Sequence, residues 1–311
     1  MMWYVFGIIA CACALMVASR LVYRQVLVMA AVLRVPAFLV ALLVVAFSTS
    51  IPELFVGVTS SLEGVPAFSL GDIFGANIVN LTLIAGLVLI VGRKKVRLTD
   101  YISSKRLAMT FAVASVPTAL LWDGSLSHAD GALLVGLYIV YVALAIADHR
   151  HRAGEPLDTK NLRGAGTSLA LFLLGAVLLV GASEGIVYLA RGLSAQLSLA
   201  PFIVGVFAIA LSTSLPEFVF GMQSAWRRTP ELSLGDVVGS SAVNASAILG
   251  VVALIHPITP SVPGAAFATG LFGIAVFGAF YLLVGRGSAG PLRGLALLVL
   301  YFLFVSLSFL A

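Results

Sequence analysis

Two carboxylates stand where a chain can least easily keep them. Pro52–Glu53 and Pro216–Glu217 each interrupt a long apolar run, and no Lys or Arg lies at comparable depth in any apolar run. A charged side chain at the centre of a bilayer costs roughly 2.5–3.5 kcal/mol on insertion scales. Two of them need a positive partner, and a bound cation supplies it where no basic side chain does. The rival reading is a pair of protonated glutamates sharing hydrogen bonds. The flanking residues suit the cation. Proline removes a backbone donor and breaks the helix about one turn earlier, which frees carbonyl oxygens around Phe47 to Thr49 and Leu211 to Thr213. On a helix Thr49 and Ser50 share a face with Glu53, and Thr213 and Ser214 share one with Glu217. Carboxylate, hydroxyl and carbonyl oxygens together are hard ligands, suited to calcium and sodium. Without imidazole or thiolate at that depth, the set does not favour zinc or copper.

Two amides join the set. Asn80 and Asn244 lie inside the next apolar runs of each half, at matching positions, which favours a ligand role over interhelical hydrogen bonding alone. Asp72 and Asp236 read differently. Each closes a Ser-x-x-Asp pattern, Ser69 to Asp72 and Ser233 to Asp236, at the start of a run, as in a helix N-terminal capping box. Capping is favoured over a place in an ion vestibule, although Asp72, Ala76 and Asn80 share one helical stripe and Asp236, Ser240 and Asn244 another. Gly71, Gly75 and Gly86, with Gly235, Gly239 and Gly250, permit close helix approach around such a site. Glu184 reads as interfacial.

The elements that must hold these residues are membrane spans. Of the 311 residues 61% are hydrophobic and 10% charged, against about 25% charged in a soluble domain. Ten stretches are long enough to span: 2–19, 36–62, 69–92, 104–122, 131–147, 166–190, 199–225, 232–255, 263–284 and 291–310. The first carries no basic leader and reads as a helix rather than a cleaved signal. Cys11 and Cys13 face different sides of that helix and read as small apolar residues. The charged, glycine-rich segment 148–165 divides the chain into a five-helix unit at 1–147 and another at 166–311. Of the 18 Lys and Arg residues, 17 fall in odd-numbered loops and Arg191 alone in an even one. By the positive-inside rule the odd loops, including the 148–165 linker, are cytoplasmic and both termini lie outside the cytoplasm. The net charge of +5 is therefore a topology signal; no aromatic-studded basic stripe points to nucleic acid.

The two units are copies. A shift of 164 residues lays Ser48–Glu53 (STSIPE) on Ser212–Glu217 (STSLPE), and Ser69–Asn80 (SLGDIFGANIVN) on Ser233–Asn244 (SLGDVVGSSAVN), without a gap. From Ala46 to Gly86, 18 of 41 positions are identical. Five spans per copy make the copies enter the membrane in opposite directions. Glu63, in the second loop, accordingly falls on Arg227, in the seventh. The fold class is an all-α integral membrane protein of about ten helices in two inverted-topology repeats, an architecture of secondary transporters.

The paired STS-x-PE and GD-x-x-G…N segments resemble the two repeats of the calcium:cation antiporter superfamily, above all its prokaryotic sodium/calcium exchangers. The motifs cover the second, third, seventh and eighth spans; the span count and repeat plan cover the whole chain. The resemblance implies calcium and sodium competing for one central cluster by alternating access. It makes Glu53 and Glu217 the bridging carboxylates, with Thr49, Ser50, Thr213 and Ser214 giving hydroxyl or carbonyl oxygens. Asn80 and Asn244 complete the middle, and Ser240 serves one flanking sodium site. Exchangers of this type often have Asp where Asn80 or Asn244 stands, and Ser where Ala76 stands. The glutamate typical of the proton-coupled branch in its third span is absent, which favours sodium coupling.

A proton-coupled calcium antiporter and another cation transporter or channel are the alternatives. A channel filter forms on an axis along the pore, whereas an inverted pair has its axis in the membrane plane. An intramembrane enzyme lacks a nucleophile–base set: His128, His149, His151 and His256 are all in or beside loops. The expected partners are calcium and sodium ions and membrane lipid, with no cofactor, no nucleic acid and a monomeric unit.

Overall fold

The computed structural model describes residues 2–32, 49–93, 95–98, 104–149 and 165–310. Helix accounts for nearly all of them. In chain order these are α1 (Met2–Val32), α2 (Ile51–Leu62), α3 (Ala67–Gly92), α4 (Ser104–Leu120), α5 (His128–His149), α6 (Ala165–Leu197), α7 (Pro201–Thr213 and Leu215–Trp226), α8 (Pro230–Ile255), α9 (Pro263–Gly285) and α10 (Pro291–Leu310). One helical segment answers to each of the ten apolar stretches. Six are long and apolar enough to cross a membrane by themselves, and α7 adds a seventh if its two halves count as one span. The opening of the second stretch, at 36–48, and most of the 148–165 linker lie outside the described residues, as do Phe47 and Ser48.

The ends of two helices differ from the sequence reading. α1 runs on past 19 to Val32, and α6 past 190 to Leu197, so Arg20, Arg24 and Arg191 are helical residues rather than loop residues. Charged residues end an apolar run but not a helix, because their long stems carry the charge sideways to a polar layer. Arg191 does so, forming an ion pair of 3.0 Å with Glu63 and donating to its carbonyl oxygen at 2.6 Å. Glu184 sits well inside α6 on an exposed face, not near its end as the shorter span implied.

The inversion is visible in two backbone bridges. Val96, after α3, exchanges hydrogen bonds of 2.8 and 2.7 Å with Ala289, before α10. Leu126, before α5, exchanges two of 2.9 Å with Ile258, after α8. α4 runs between Val96 and Leu126, so the bridges lie at opposite ends of the molecule. The α3–α4 and α8–α9 connections occupy equivalent places in the two repeats, yet they belong to opposite ends. A duplication without inversion would put them at the same end.

α3 and α8 form the centre: 78% of each span is buried inside the protein, against 17–33% for the spans of α1, α6, α9 and α10. Two close approaches fix α2 and α7 against them. A Cβ at Gly57 would meet Ser69 Oγ and Val252 Cγ2 at 2.9 Å; at its repeat mate Gly221 a Cβ would meet Ser233 Oγ at 3.0 Å and Val88 Cγ2 at 2.9 Å. Gly71 of α3 and Gly205 of α7 approach more closely still, each Cα 3.0 Å from where a Cβ on the other would stand. Gly239 meets no described atom; the residues equivalent to the Val206 and Ala210 that crowd Gly75, Leu42 and Ala46, lie outside the described residues. α1 and α6 pack antiparallel to one another, Ile8, Ala12 and Leu15 against Leu179, Ile186 and Leu189.

Candidate ion-binding site

The local backbone at the two Pro-Glu segments follows from proline chemistry. Pro216 cannot donate to the turn before it, and α7 breaks at Ser214, its halves meeting at 44°. Ser214 leaves helical geometry at φ −77°, ψ 4°, and its repeat mate Ser50 does the same at φ −86°, ψ 6°. The second half of α7 starts at Leu215, and α2 starts at its repeat mate, Ile51. Glu53 and Glu217 therefore sit in the first turn of a helix whose N-terminus points into the interior. The aligned peptide dipoles there favour negative charge.

α3 and α8 carry a second irregularity. Asn80 opens a π-helical segment, Asn80–Ile84, and Asn244 lies in the matching segment, Val243–Ile248. A π segment widens the helix and is common at functional sites. The first half of α7 contains a third, Gly205–Ile209.

These elements put the predicted residues in the interior. Glu53, Glu217, Asn80, Asn244, Ser50, Thr213 and Ser240 are each 0% exposed. Ser214 is buried and Thr49 half-buried. Both carboxylate oxygens of each glutamate, both side-chain atoms of Asn80, Oδ1 of Asn244 and the hydroxyls of Ser50 and Ser214 have no hydrogen-bond partner among the described residues. Asn244 spends its amide protons on Asn77 Oδ1 at 3.4 Å, and Asn77 donates to Ser241 O at 3.5 Å. Ser240 donates to Asp236 O at 2.9 Å, which leaves its lone pairs free. Among the described residues no Lys or Arg is buried. Among the described residues the interior thus holds four unpartnered carboxylate oxygens and no basic side chain, the inverse of what an anion requires. It is what a hard cation requires.

The capping reading of Asp72 and Asp236 is overturned. α3 starts two residues before Ser69 with Pro66 at its N-cap, and α8 three residues before Ser233 with Thr229 at its N-cap, in neither case with a side-chain cap. The prolines start both helices early, so the aspartates fall more than a turn inside. Their side chains reach across the repeat boundary instead. Thr213 Oγ1 donates to Asp72 Oδ1 at 2.8 Å, and Thr49 Oγ1 donates to Asp236 Oδ1 at 3.2 Å. Glu53 stands within electrostatic reach of Asp72 and Asp236, and Glu217 within reach of Glu53 and Asp236. The shared stripe with Asn80 and Asn244 was the sequence signal for this placement, and the Ser-x-x-Asp pattern outweighed it.

Sequence comparison identifies the family. The profile of the family described as "Sodium/calcium exchanger protein" matches residues 3–147 and 167–310. The chain belongs to that family. It is 28% identical over 293 residues to Inner membrane protein YrbG of Escherichia coli K12, covering 91% of this chain and 88% of that protein. Two solved structures share the fold. The sodium-calcium exchanger NCX_Mj, soaked with Na+ and Sr2+, superposes with TM-score 0.67 at 22% identity over 98% of this chain and 99% of that one. The H+/Ca2+ exchanger CAX does so with TM-score 0.72 at 16% identity over 97% of this chain and 81% of that one. This member of the exchanger family is therefore a multi-pass membrane protein whose relatives by fold include both a sodium-coupled and a proton-coupled exchanger.

Proposed function

We propose that the protein is a secondary antiporter that exchanges calcium for sodium by alternating access. Glu53 and Glu217 are the bridging carboxylates, and Thr49, Ser50, Thr213, Ser214, Asn80, Asn244 and Ser240 complete the ligand set with neutral oxygens. The observation that carries the reading is the pair of fully buried glutamates in the first turns of repeat-matched helical segments, with four carboxylate oxygens unpartnered among the described residues. Two carboxylates balance one divalent ion, and the same oxygens accept monovalent sodium when calcium leaves. The repeat-matched placement of the two glutamates supports exchange of access between the two sides. The 17-to-1 division of basic residues between the odd-numbered connections and the even ones, counting the helix ends beside each, supports cytoplasmic odd loops, a cytoplasmic 148–165 linker and both termini outside the cytoplasm.

The test is calcium uptake into sodium-loaded proteoliposomes. Uptake should follow an imposed sodium gradient, and Glu53→Gln or Glu217→Gln should abolish it while leaving insertion and folding intact. Near-normal flux in both variants overturns the reading. The fold likeness to CAX favours one second reading: uptake that follows a proton gradient and ignores sodium makes the protein a proton-coupled calcium antiporter.

A further inference from the structure

The ends of α3 and α7 carry residues that their repeat mates lack. α3 closes on Gly92 and Arg93, and α7 on Trp226, Arg227 and Arg228; the matching positions hold His256 and Pro257, and Leu62, Glu63 and Gly64. These differences lie away from the ion site, whose residues the repeats largely share. Between the two ends lies a cavity of about 890 Å³, lined by Ile90, Val91 and Arg93 on one side and by Ala225, Trp226 and Arg228 on the other. Sites for small organic ligands run to roughly 300–1,000 Å³.

Both arginines take a backbone conformation that suits glycine. Arg93 has φ 50° and Arg228 φ 61°, left-handed values that are unfavourable for a residue with a Cβ. The first repeat uses glycine at the same turn: Gly64, the mate of Arg228, has φ 73°. The two turns close with the same bond, Val65 N to Ser60 O at 2.8 Å and Thr229 N to Ser224 O at 2.9 Å. A charge kept where glycine fits better points to a use for the side chain. Serving the carbonyls of a helix end is one such use, and Arg293 does that, donating to Leu283 O at 2.7 Å and Arg286 O at 3.1 Å. Arg93 and Arg228 do not: both are exposed, and neither guanidinium has a hydrogen-bond or ion-pair partner among the described residues. Among those residues no acidic side chain lines the cavity. Glu231, beside the Pro230 that packs on Gly92, is buried at 8% exposure.

The lining is thus cationic at one part and apolar at another. Two free guanidiniums recognise a phosphate. Ile90, Val91 and the Trp226 indole, 71% exposed, offer a surface for hydrocarbon, and tryptophan favours the membrane interface. A free phosphate leaves the apolar part unused, and a choline headgroup brings a cation towards two arginines. We propose that this cavity is a binding site for an anionic phospholipid, with Arg93 and Arg228 on its phosphate and Trp226 against its upper chain carbons. The bound lipid ties the end of α3 to the end of α7, the helices that carry Asn80 and Glu217.

Trp226 is the reporter that tests it. The other two tryptophans, Trp3 and Trp122, are changed to phenylalanine in the full chain. The protein is reconstituted in phosphatidylcholine with brominated phosphatidylglycerol or brominated phosphatidylcholine, and quenching of Trp226 gives their relative affinity. Phosphatidylglycerol should bind at least about fivefold better. Arg93→Gln with Arg228→Gly should bring the ratio near one, and Arg228→Gly alone should lower it. The glycine suits the turn, so the thermal midpoint of the single variant in detergent should not fall. Arg97→Gln with Arg286→Gln removes two exposed charges from the end marked by the Val96–Ala289 bridge without touching the cavity, and should keep the preference. A ratio near one before the arginines are changed, or an unchanged ratio in the cavity variants, overturns the proposal. Equal loss in the Arg97 and Arg286 pair also overturns it, because the preference would then be general surface charge. Inorganic phosphate in the buffer should leave the ratio unchanged; if it cancels the preference, the site takes free phosphate and the lipid assignment falls.

Discussion

A hydroxyl has one proton to give, and at Thr213 the structure shows where it goes. Asp72 Oδ1 lies at 2.8 Å, nearer than the carbonyls of Ile209 at 3.2 Å and Ala210 at 3.4 Å that the same hydroxyl could serve. The proton taken by the aspartate leaves oxygen lone pairs for a cation, which a bond to the helix backbone would leave aimed elsewhere. One asymmetry breaks the match between the repeats at this scale. Ser240, which gives its proton to Asp236 O at 2.9 Å, keeps an available oxygen; Ala76, its mate, has none. On the proposed reading the side of the site nearest Ala76 binds sodium more weakly. Ala76→Ser should raise apparent sodium affinity or steepen the sodium dependence of calcium efflux, and Ser240→Ala should lower it. A sodium titration of efflux from proteoliposomes at fixed potential reads both, and an unchanged midpoint and Hill slope in both variants remove these positions from the sodium pathway.

Helices carry these side chains only because they are allowed to be irregular and to come very close. The break at Ser214 and the π segments at Asn80 and Asn244 expose backbone that a regular helix would close, and such backbone survives at membrane depth where it lines a polar interior. The crossing of α3 over α7 depends on having no Cβ. At Gly71 a Cβ would overlap Phe202 O and stand 2.9 Å from Val206 N, both backbone atoms that cannot rotate away. Gly71→Ala should therefore force the helices apart, costing roughly 1–3 kcal/mol of stability and most of the transport, since Asp72 moves with the same turn. Gly136 of α5 provides the contrast, because a Cβ there meets nothing within 4 Å. Gly136→Ala should be neutral or stabilising, by up to about 1 kcal/mol from helix propensity. Thermal unfolding of the two detergent-solubilised variants decides the point; equal midpoints would contradict the packing argument.

For the whole molecule the inverted repeat makes one site out of two half-sites. Thr49 of the first repeat serves Asp236 of the second, and Thr213 of the second serves Asp72 of the first. Each of these aspartates takes its threonine from the other repeat, so on the proposed reading neither repeat is a complete site. The inversion also sets which loops see which side. Glu63 and Arg227 are repeat mates, and both are exposed. Single cysteines at these positions, in a background lacking Cys11 and Cys13, should be labelled by a membrane-impermeant thiol reagent from opposite sides. Labelling of both from one side refutes the orientation derived from the basic residues. The Glu63 change removes an exposed ion pair with Arg191 but leaves the Arg191 bond to the backbone carbonyl, so the fold should tolerate it.

The sequence by itself determined the membrane class, the ten helical segments, the repeat and the acidic pair. Each of these rests on composition or on spacing along one chain: 61% hydrophobic residues, a 164-residue shift, a proline before each glutamate. It put Asn80 and Asn244 inside matching helices but could not see that both asparagines sit on π segments, since no residue pattern marks the extra residue in the turn. It misplaced the ends of α1 and α6, because hydropathy falls at Arg20 and Arg191 while the backbone continues helical. It assigned Asp72 and Asp236 to capping for a related reason: Ser-x-x-Asp is a local pattern, and Pro66 and Pro230, which start the helices early, were not weighed against it. The tertiary structure alone decided that these aspartates face the other repeat. A hydrogen bond between residues 141 or 187 positions apart depends on how two inverted five-helix units pack, and at the Thr213–Asp72 pair the close approach of α3 and α7 at Gly71 and Gly205 allows that packing.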